Sequence, residues 1–296
     1  FIKLTALAGC LLSGGKLVYD LARGEAVTLQ ESRLLMGTII NLKVVSESKT
    51  AGQKAIEAAF AELERQVRIF NYREADSPVS ILNRTGKLNN PPKELMEVLN
   101  KAVVISEISG GAFDVTIKPL LDLYQAAQPG LPSEAAVQDA IQQVDFRQLA
   151  VSDQEISFRS PKMALTLDGI AKGYIVDAGV GVLKSSGFEN VYVEAGGDLM
   201  AAGRKAGDLP WKVGVQSPRK TQSDLLAQFT VSDQAAATSG DYHHYYTGDM
   251  VHHHIIDPRE GHSNPELASV TIISGNTMEA DALATEVGGV IPDDPD

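Results

Sequence analysis

The chain has one cysteine, Cys10, in 296 residues. That excludes an intrachain disulfide framework and any CxxC redox or zinc motif. Positive charge is also scarce: 26 lysines and arginines stand against 38 aspartates and glutamates, for a formal net charge of -12. The acidic excess is spread along the chain, which argues against binding nucleic acid or an anionic membrane through non-specific electrostatics. A small anionic ligand would need local help from a metal or a helix N-terminus. Internal repeats and low-complexity blocks are absent as well. What is present is ordinary globular composition, 44% hydrophobic and 22% charged, and enough length for one large domain or two intertwined lobes around a real core.

The opening run "FIKLTALAGCLLSGG" is too short to span a bilayer but has the length of a signal-peptide core. Phe1-Ile2-Lys3 looks like the tail of a twin-arginine export motif, and "LAGC" (Leu7 to Cys10) offers a lipoprotein alternative. Either reading predicts an exported protein, periplasmic or envelope-associated, with membrane association possible through this segment. The expected organisation is an export segment and linker over residues 1–30, then one folded domain over 31–296.

The elements alternate without a linker break. The β-branched run from Met36 to Val45 predicts a strand. Ile56, Phe60, Leu63, Val67 and Phe70 then fall at helical spacing within a helix from Thr50 to Phe70. Further helices are expected over Pro92–Ser109, from a Ser133 cap to about Val144, over Gly169–Ser185 and from near Thr277. "LAVSDQEISF" reads as a hairpin, and strands are expected at Met163–Leu167, Asn190–Glu194, Trp211–Gln216 and Leu226–Val231. The mixture predicts an α+β fold of antiparallel sheets and helices.

Several short segments carry candidate chemistry. In Gly110 to Asp114, two glycines permit close backbone approach, Phe113 offers a stacking face and Asp114 a hydrogen-bond acceptor. Asp168-Gly169 ends a strand and turns into a helix, which presents free N–H groups and Lys172 to a phosphate. Asp281 and Thr285 lie four apart on a helix, so both oxygen donors share one face. "EAGGDLMAAG" (Glu194 to Gly203) reads as a tight glycine turn. All six histidines fall between His243 and His262. Thr247-Gly248-Asp249 has turn composition, so the stretch "YHHYYTGDMVHHHII" reads as a hairpin. Strand alternation then puts His252 and His254 on one face and His253 on the other. A zinc site needs three or four convergent ligands, which this arrangement supplies poorly. Solvated hairpin positions are expected for most of the six.

Taken together, "GGAFDVTIKP", "LTLDGIAKGYIVD", "EAGGDLMAAG", "HHHIIDPREG" and "EADALATE" resemble, in order and spacing, the ApbE family of FAD:protein FMN transferases. The likeness runs from Met36 to about Gly289. It implies a single ApbE-like, T-fold-related domain. It also implies FAD contacts from Met36, Tyr72, Ala112, Phe113, Asp114, Lys172 and Ile255, and Mg²⁺ ligation by the Gly169 carbonyl, Asp281 and Thr285. Thr166 stands where the family usually has an FAD-contacting aspartate, and Asp168 appears two residues later. His254 aligns with the histidine of the family's "S-H-I-I-D-P" pattern, which implies a base for the incoming hydroxyl. The implied reaction moves FMN from FAD to a threonine of a flavoprotein subunit of a Na⁺-translocating NADH:quinone reductase or an Rnf-type complex, releasing AMP. Two alternatives stay open: an FAD pyrophosphatase giving FMN and AMP, and a non-enzymatic envelope protein that binds FAD or divalent metal.

Overall fold

The computed structural model describes residues 25–219 and 225–290. The expected export signal and Cys10 lie outside the described residues. Among the described residues no helix is long and apolar enough to cross a membrane.

Strands β1 (Val27–Leu35) and β2 (Thr38–Ser46) form an antiparallel hairpin. Its turn is Met36-Gly37, with φ of 55° and 72°, the doubly left-handed geometry whose twist suits a two-residue hairpin. The strand expected from Met36 therefore starts after the turn, and Met36 sits at the tip. β1 also takes in residues that the sequence reading left to the linker before 31. On β2 the fully buried Ile40, Leu42 and Val44 alternate with partly exposed neighbours, the period of a strand with one face in a core. Helix α1 (Lys49–Phe70), capped by the Ser48 hydroxyl accepting from the Ala51 N–H, covers that face. It buries Ala55, Ile56, Ala59, Phe60 and Leu63. Each such Ile, Leu or Phe contributes about 1.5–3 kcal/mol relative to exposure.

The chain continues through α2 (Pro78–Thr85), β3 (Lys87–Asn89), α3 (Lys93–Ile108), α4 (Lys118–Ala127), α5 (Glu134–Ile141), β4 (Leu149–Val151) and β5 (Glu155–Phe158). Next come α6 (Ala171–Ser185), β6 (Val191–Ala195), β7 (Asp198–Ala202), β8 (Trp211–Gln216), β9 (Leu225–Val231), β10 (Gln234–Gly240), β11 (Ser269–Ser274) and α7 (Thr277–Gly289). A six-stranded sheet runs β1-β2-β6-β7-β10-β11 with every neighbour antiparallel. Sheets β3-β5-β4 and β8-β9 flank it. Helices α1, α6 and α7 pack on the large sheet, with α6 against both of the others, so the expected α+β architecture holds as a single domain.

Two local expectations need correction, and two helices went unforeseen. Met163–Leu167 is not a strand but an extended segment with one parallel bridge, Ile117 to Ala164. The Asn83 side chain takes the Leu165 N–H and carbonyl, each at 2.8 Å, in place of a strand partner. The histidine stretch is not a hairpin of two strands but a loop with an isolated Tyr245–His253 bridge. Helices α2 and α4, each too short for a clear apolar period, were not expected from the sequence.

Candidate functional site

The site is organised where α6 crosses α7. At Gly173 an added Cβ would lie 2.3 Å from the Thr277 carbonyl oxygen and 2.8 Å from the Met278 Cα, so only glycine lets the helices approach this closely. Asp177, one turn further along α6, accepts the Thr277 N–H on both carboxylate oxygens and the Met278 N–H, all at 2.9 Å. Asn276 accepts the Glu279 N–H at 2.9 Å. These bonds satisfy the free N–H groups at the start of α7 and fix its rotation. Asp281, one turn into α7, is buried and accepts the Gly173 N–H at 2.9 Å. Thr285 follows on the same face, and an added Cβ on Gly169 would stand 3.0 Å from its hydroxyl oxygen. Thus Gly169, Asp281 and Thr285 converge, and the Ser239 hydroxyl joins them 3.2 Å from that of Thr285. Gly173→Ala is expected to destabilise the fold by at least the roughly 1–3 kcal/mol of core overpacking, because rigid backbone is what the methyl meets. Thermal unfolding of the variant checks this, and an unchanged Tm would show that α7 can shift freely.

Sequence reasoning missed Asp198. It took Glu194 to Gly203 as a glycine turn, and the turn is there: Gly196 and Gly197 have φ of 56° and 104°, and the Glu194 carboxylate accepts the Gly197 N–H at 3.0 Å. That turn delivers Asp198 into the interior at 1% exposure, against Asp281. Lys172 Nζ lies 3.3 Å from Asp198 Oδ2, an ion-pair contact without hydrogen-bond geometry, and both Asp198 oxygens lack a hydrogen-bond partner. Burial pushes the Asp198 carboxyl well above the usual range; the negative charge of Asp281 adds to the shift and Lys172 opposes it. Burial raises Asp281 too, against the pull of Lys172 and the Gly173 N–H. The signal available in the sequence was a lone acid directly after two glycines. Asp281, Asp198 and the hydroxyls of Thr285 and Ser239 present only oxygen donors, with the Gly169 backbone beside them, the chemistry that suits Mg²⁺ better than zinc. Among the described residues no three His, Cys, Asp or Glu side chains form a metal-holding group, so hydroxyl and carbonyl oxygens would complete this one.

The other expected residues divide. The Thr166 N–H bonds the Val115 carbonyl at 2.9 Å, which runs the Ala112–Val115 segment beside Thr166–Asp168. Ala112 and Phe113 are buried there. Asp114 is not free for a ligand: it accepts from the Thr116 N–H and hydroxyl at 2.7 Å and from the Phe146 N–H at 2.9 Å, so its carboxylate pins the loop. The Thr166 hydroxyl accepts the Asp168 N–H at 3.3 Å. Tyr72 is half-buried beside Asp168, which together with burial pushes its phenol up to about 12. Lys118 lies 4.9 Å above its ring. Ile255 packs its side chain on the end of α7, 3.6 Å from where a Gly288 Cβ would be. Met36 remains partly exposed against the core.

The histidines have three fates. His243 and His244 are exposed and His252 is partly so. His253 is buried at 1% exposure; its Nε2 lies 3.1 Å from the Asn264 carbonyl and its Nδ1 accepts the Ile255 N–H at 3.3 Å. His262 lies 3.1 Å from the Tyr124 hydroxyl and 3.3 Å from Glu134. The expectation of solvated decoration therefore fails for His253 and His262, which hold the loop together. His254 is partly exposed, and its Nδ1 lies 2.9 Å from the His244 carbonyl. A carbonyl only accepts, so Nδ1 carries the proton and Nε2 keeps its lone pair. Burial pushes its pKa down to about 4, which keeps the ring neutral at ordinary pH.

A family model described as the ApbE family matches residues 36–293. The chain is 30% identical to a Vibrio cholerae protein named FAD:protein FMN transferase, over 95% of this chain and 85% of that one. It is 30% identical to a Treponema pallidum protein of the same name, over 88% and 79%. The crystal structure of the ApbE protein of Thermotoga maritima superposes with a TM-score of 0.79 at 30% identity, covering 88% of this chain and 85% of that one. A helix-on-sheet core that brings Gly169, Asp281 and Thr285 together, matched over this length, places the chain in the ApbE family.

Proposed function

We propose that the protein is an FAD:protein FMN transferase that works on FAD at the α6–α7 crossing and moves FMN to a threonine of a flavoprotein subunit, of the Na⁺-translocating NADH:quinone reductase or Rnf-type class, in the cell envelope. The observation that carries this reading is the all-oxygen cluster of Asp281 and Thr285 against the Gly169 backbone, with Lys172 beside the acids, within a family whose relatives bear that activity in their names. A divalent cation held there would neutralise the FAD pyrophosphate. Lys172 supplies a second positive charge toward a phosphate oxygen. His254 Nε2 takes the proton of the attacking hydroxyl, as its tautomer allows. The new bond joins the threonine oxygen to the FMN-side phosphorus; the bond that breaks is the pyrophosphate P–O bond, and AMP leaves with its electron pair. Asp114, Thr166 and the Met36 turn shape the walls around this centre rather than the reacting atoms.

The test is incubation with FAD and Mg²⁺, with and without an acceptor subunit, following AMP release and protein-bound flavin. AMP release that requires acceptor, with flavin attached to it, is the expected result. AMP without acceptor makes the protein a pyrophosphatase, and no AMP makes it a binder of FAD. Fractionation of cells carrying the natural gene tests the envelope location, with recovery in the cytoplasm as the opposing result.

A further inference from the structure

Resting on the cation site proposed above, we propose that Asp198 is a second carboxylate ligand of that cation, alongside Asp281. A carboxylate at 1% exposure whose two oxygens meet no hydrogen-bond partner is costly to bury. Lys172 Nζ, 3.3 Å away, is one positive charge against the two buried carboxylates of Asp198 and Asp281. With both carboxylates ionised the cluster is one positive charge short, and a one-sided buried charge of this kind is destabilising unless a cation is bound. The chain also spends local structure to create this arrangement. Gly196 would bring a Cβ to 2.5 Å from the Thr38 hydroxyl, and the Glu194 carboxylate is committed to the Gly197 N–H, so the β6–β7 turn is built to aim Asp198 inward. Asp281 is aimed from the other side by α7 and keeps one oxygen on the Gly173 N–H. The two carboxyl groups lie against each other, so one ion between them could take oxygens from both. Mg²⁺ taken by two carboxylates, with hydroxyl, carbonyl and water oxygens completing the shell, accounts for all of these groups.

Mg²⁺ titration of the flavin-free protein, by calorimetry and by thermal unfolding in EDTA or in Mg²⁺, tests the assignment. Asp198→Asn keeps the volume and removes the charge. Its Tm in EDTA is expected to equal or exceed that of the unchanged protein, because an unsatisfied buried charge has gone, while its Mg²⁺ affinity falls by about 10- to 100-fold, at least the scale for losing a supporting group of a metal site. The same loss is expected when Asp198→Asn is added to Lys172→Met. Undiminished Mg²⁺ affinity in Asp198→Asn, or a loss that disappears once Lys172 is gone, overturns the proposal and leaves Asp198 as the counter-ion of Lys172 alone. Should Asp198→Asn fail to fold, Asp198→Ala is read in the same way, and failure of both makes the residue structural. An unchanged protein that binds no Mg²⁺ sinks the cation site itself, whereas one that binds it but is indifferent to Asp198 sinks only this inference. FMN transfer enters neither reading.

Discussion

His254→Ala is expected to slow FMN transfer by roughly 100-fold or more, the usual scale for losing a general base, while the combined replacement of His243, His244 and His252 by alanine leaves most of the rate. The contrast follows from geometry. The His244 carbonyl, not its side chain, receives the His254 N–H groups, at 3.0 Å from the backbone N and 2.9 Å from Nδ1, so removing the His244 imidazole leaves the His254 tautomer set. His253 is kept out of the combined variant because it is buried and bonded within the loop. The pH dependence adds a second reading. With its pKa near 4, His254 stays neutral well below the ordinary histidine value of about 6.5, so the rate should show no limb at that value. For stability the sign runs the same way: the unfolded chain takes up the proton first as pH falls, so the contribution of His254 is complete above about 6.5 and is lost as pH drops from there through about 4. A pH–rate profile with a limb near 6.5 that vanishes in His254→Ala would contradict the burial argument. Equal damage from the triple and single variants would return the histidine cluster to consideration as a unit.

Asp281→Asn should abolish cation-dependent turnover, with Mg²⁺ affinity falling by more than the roughly 10- to 100-fold that a supporting residue costs. The substitution removes the charge but keeps an oxygen that can accept the Gly173 N–H, so α7 should stay docked. The fold is expected to persist for a further reason. Asp281 and Asp198 are buried with a single lysine, and replacing one carboxylate leaves a balanced Lys172–Asp198 pair, which relieves rather than adds to the burial cost. Turnover at Mg²⁺ concentrations of about a millimolar, together with Tm in EDTA, separates the two effects. Turnover that persists at ordinary Mg²⁺ in a folded Asp281→Asn protein would remove Asp281 from the cation site.

Much of this was legible in the residues because it depends on local periodicity. The i, i+4 spacing of Asp281 and Thr285 put both on one face before any fold was known, and that face does meet the start of α6, Asp281 at Gly173 and Thr285 at Gly169 just before it. The apolar spacing of Ile56, Phe60 and Leu63 located α1 to within a residue at its start. Where a segment's partner lies far away in sequence, the same reasoning gave out. Met163–Leu167 has strand composition, yet Asn83 supplies its hydrogen bonds from 82 residues away. Asp114 has the look of a ligand-binding acid, yet the N–H of Phe146 claims its second oxygen from 32 residues away.

The sequence by itself determined the α+β class, the family likeness, the all-oxygen character of the Asp281–Thr285 face on α7 and the exclusion of an intrachain disulfide, since each rests on residue type, order or a period of a few residues. Only the tertiary structure decided that Asp198 stands beside Asp281, that His253 is core while His254 keeps a free Nε2, and that Asp114 is spent on its own loop. The physical reason is the same in each case. A polar group's role depends on whether its hydrogen bonds and charge are already satisfied, and the groups that satisfy or abandon Asp198, His253 and Asp114 come from other elements, brought near by the antiparallel sheet and by the Gly173 contact that lets α6 and α7 meet.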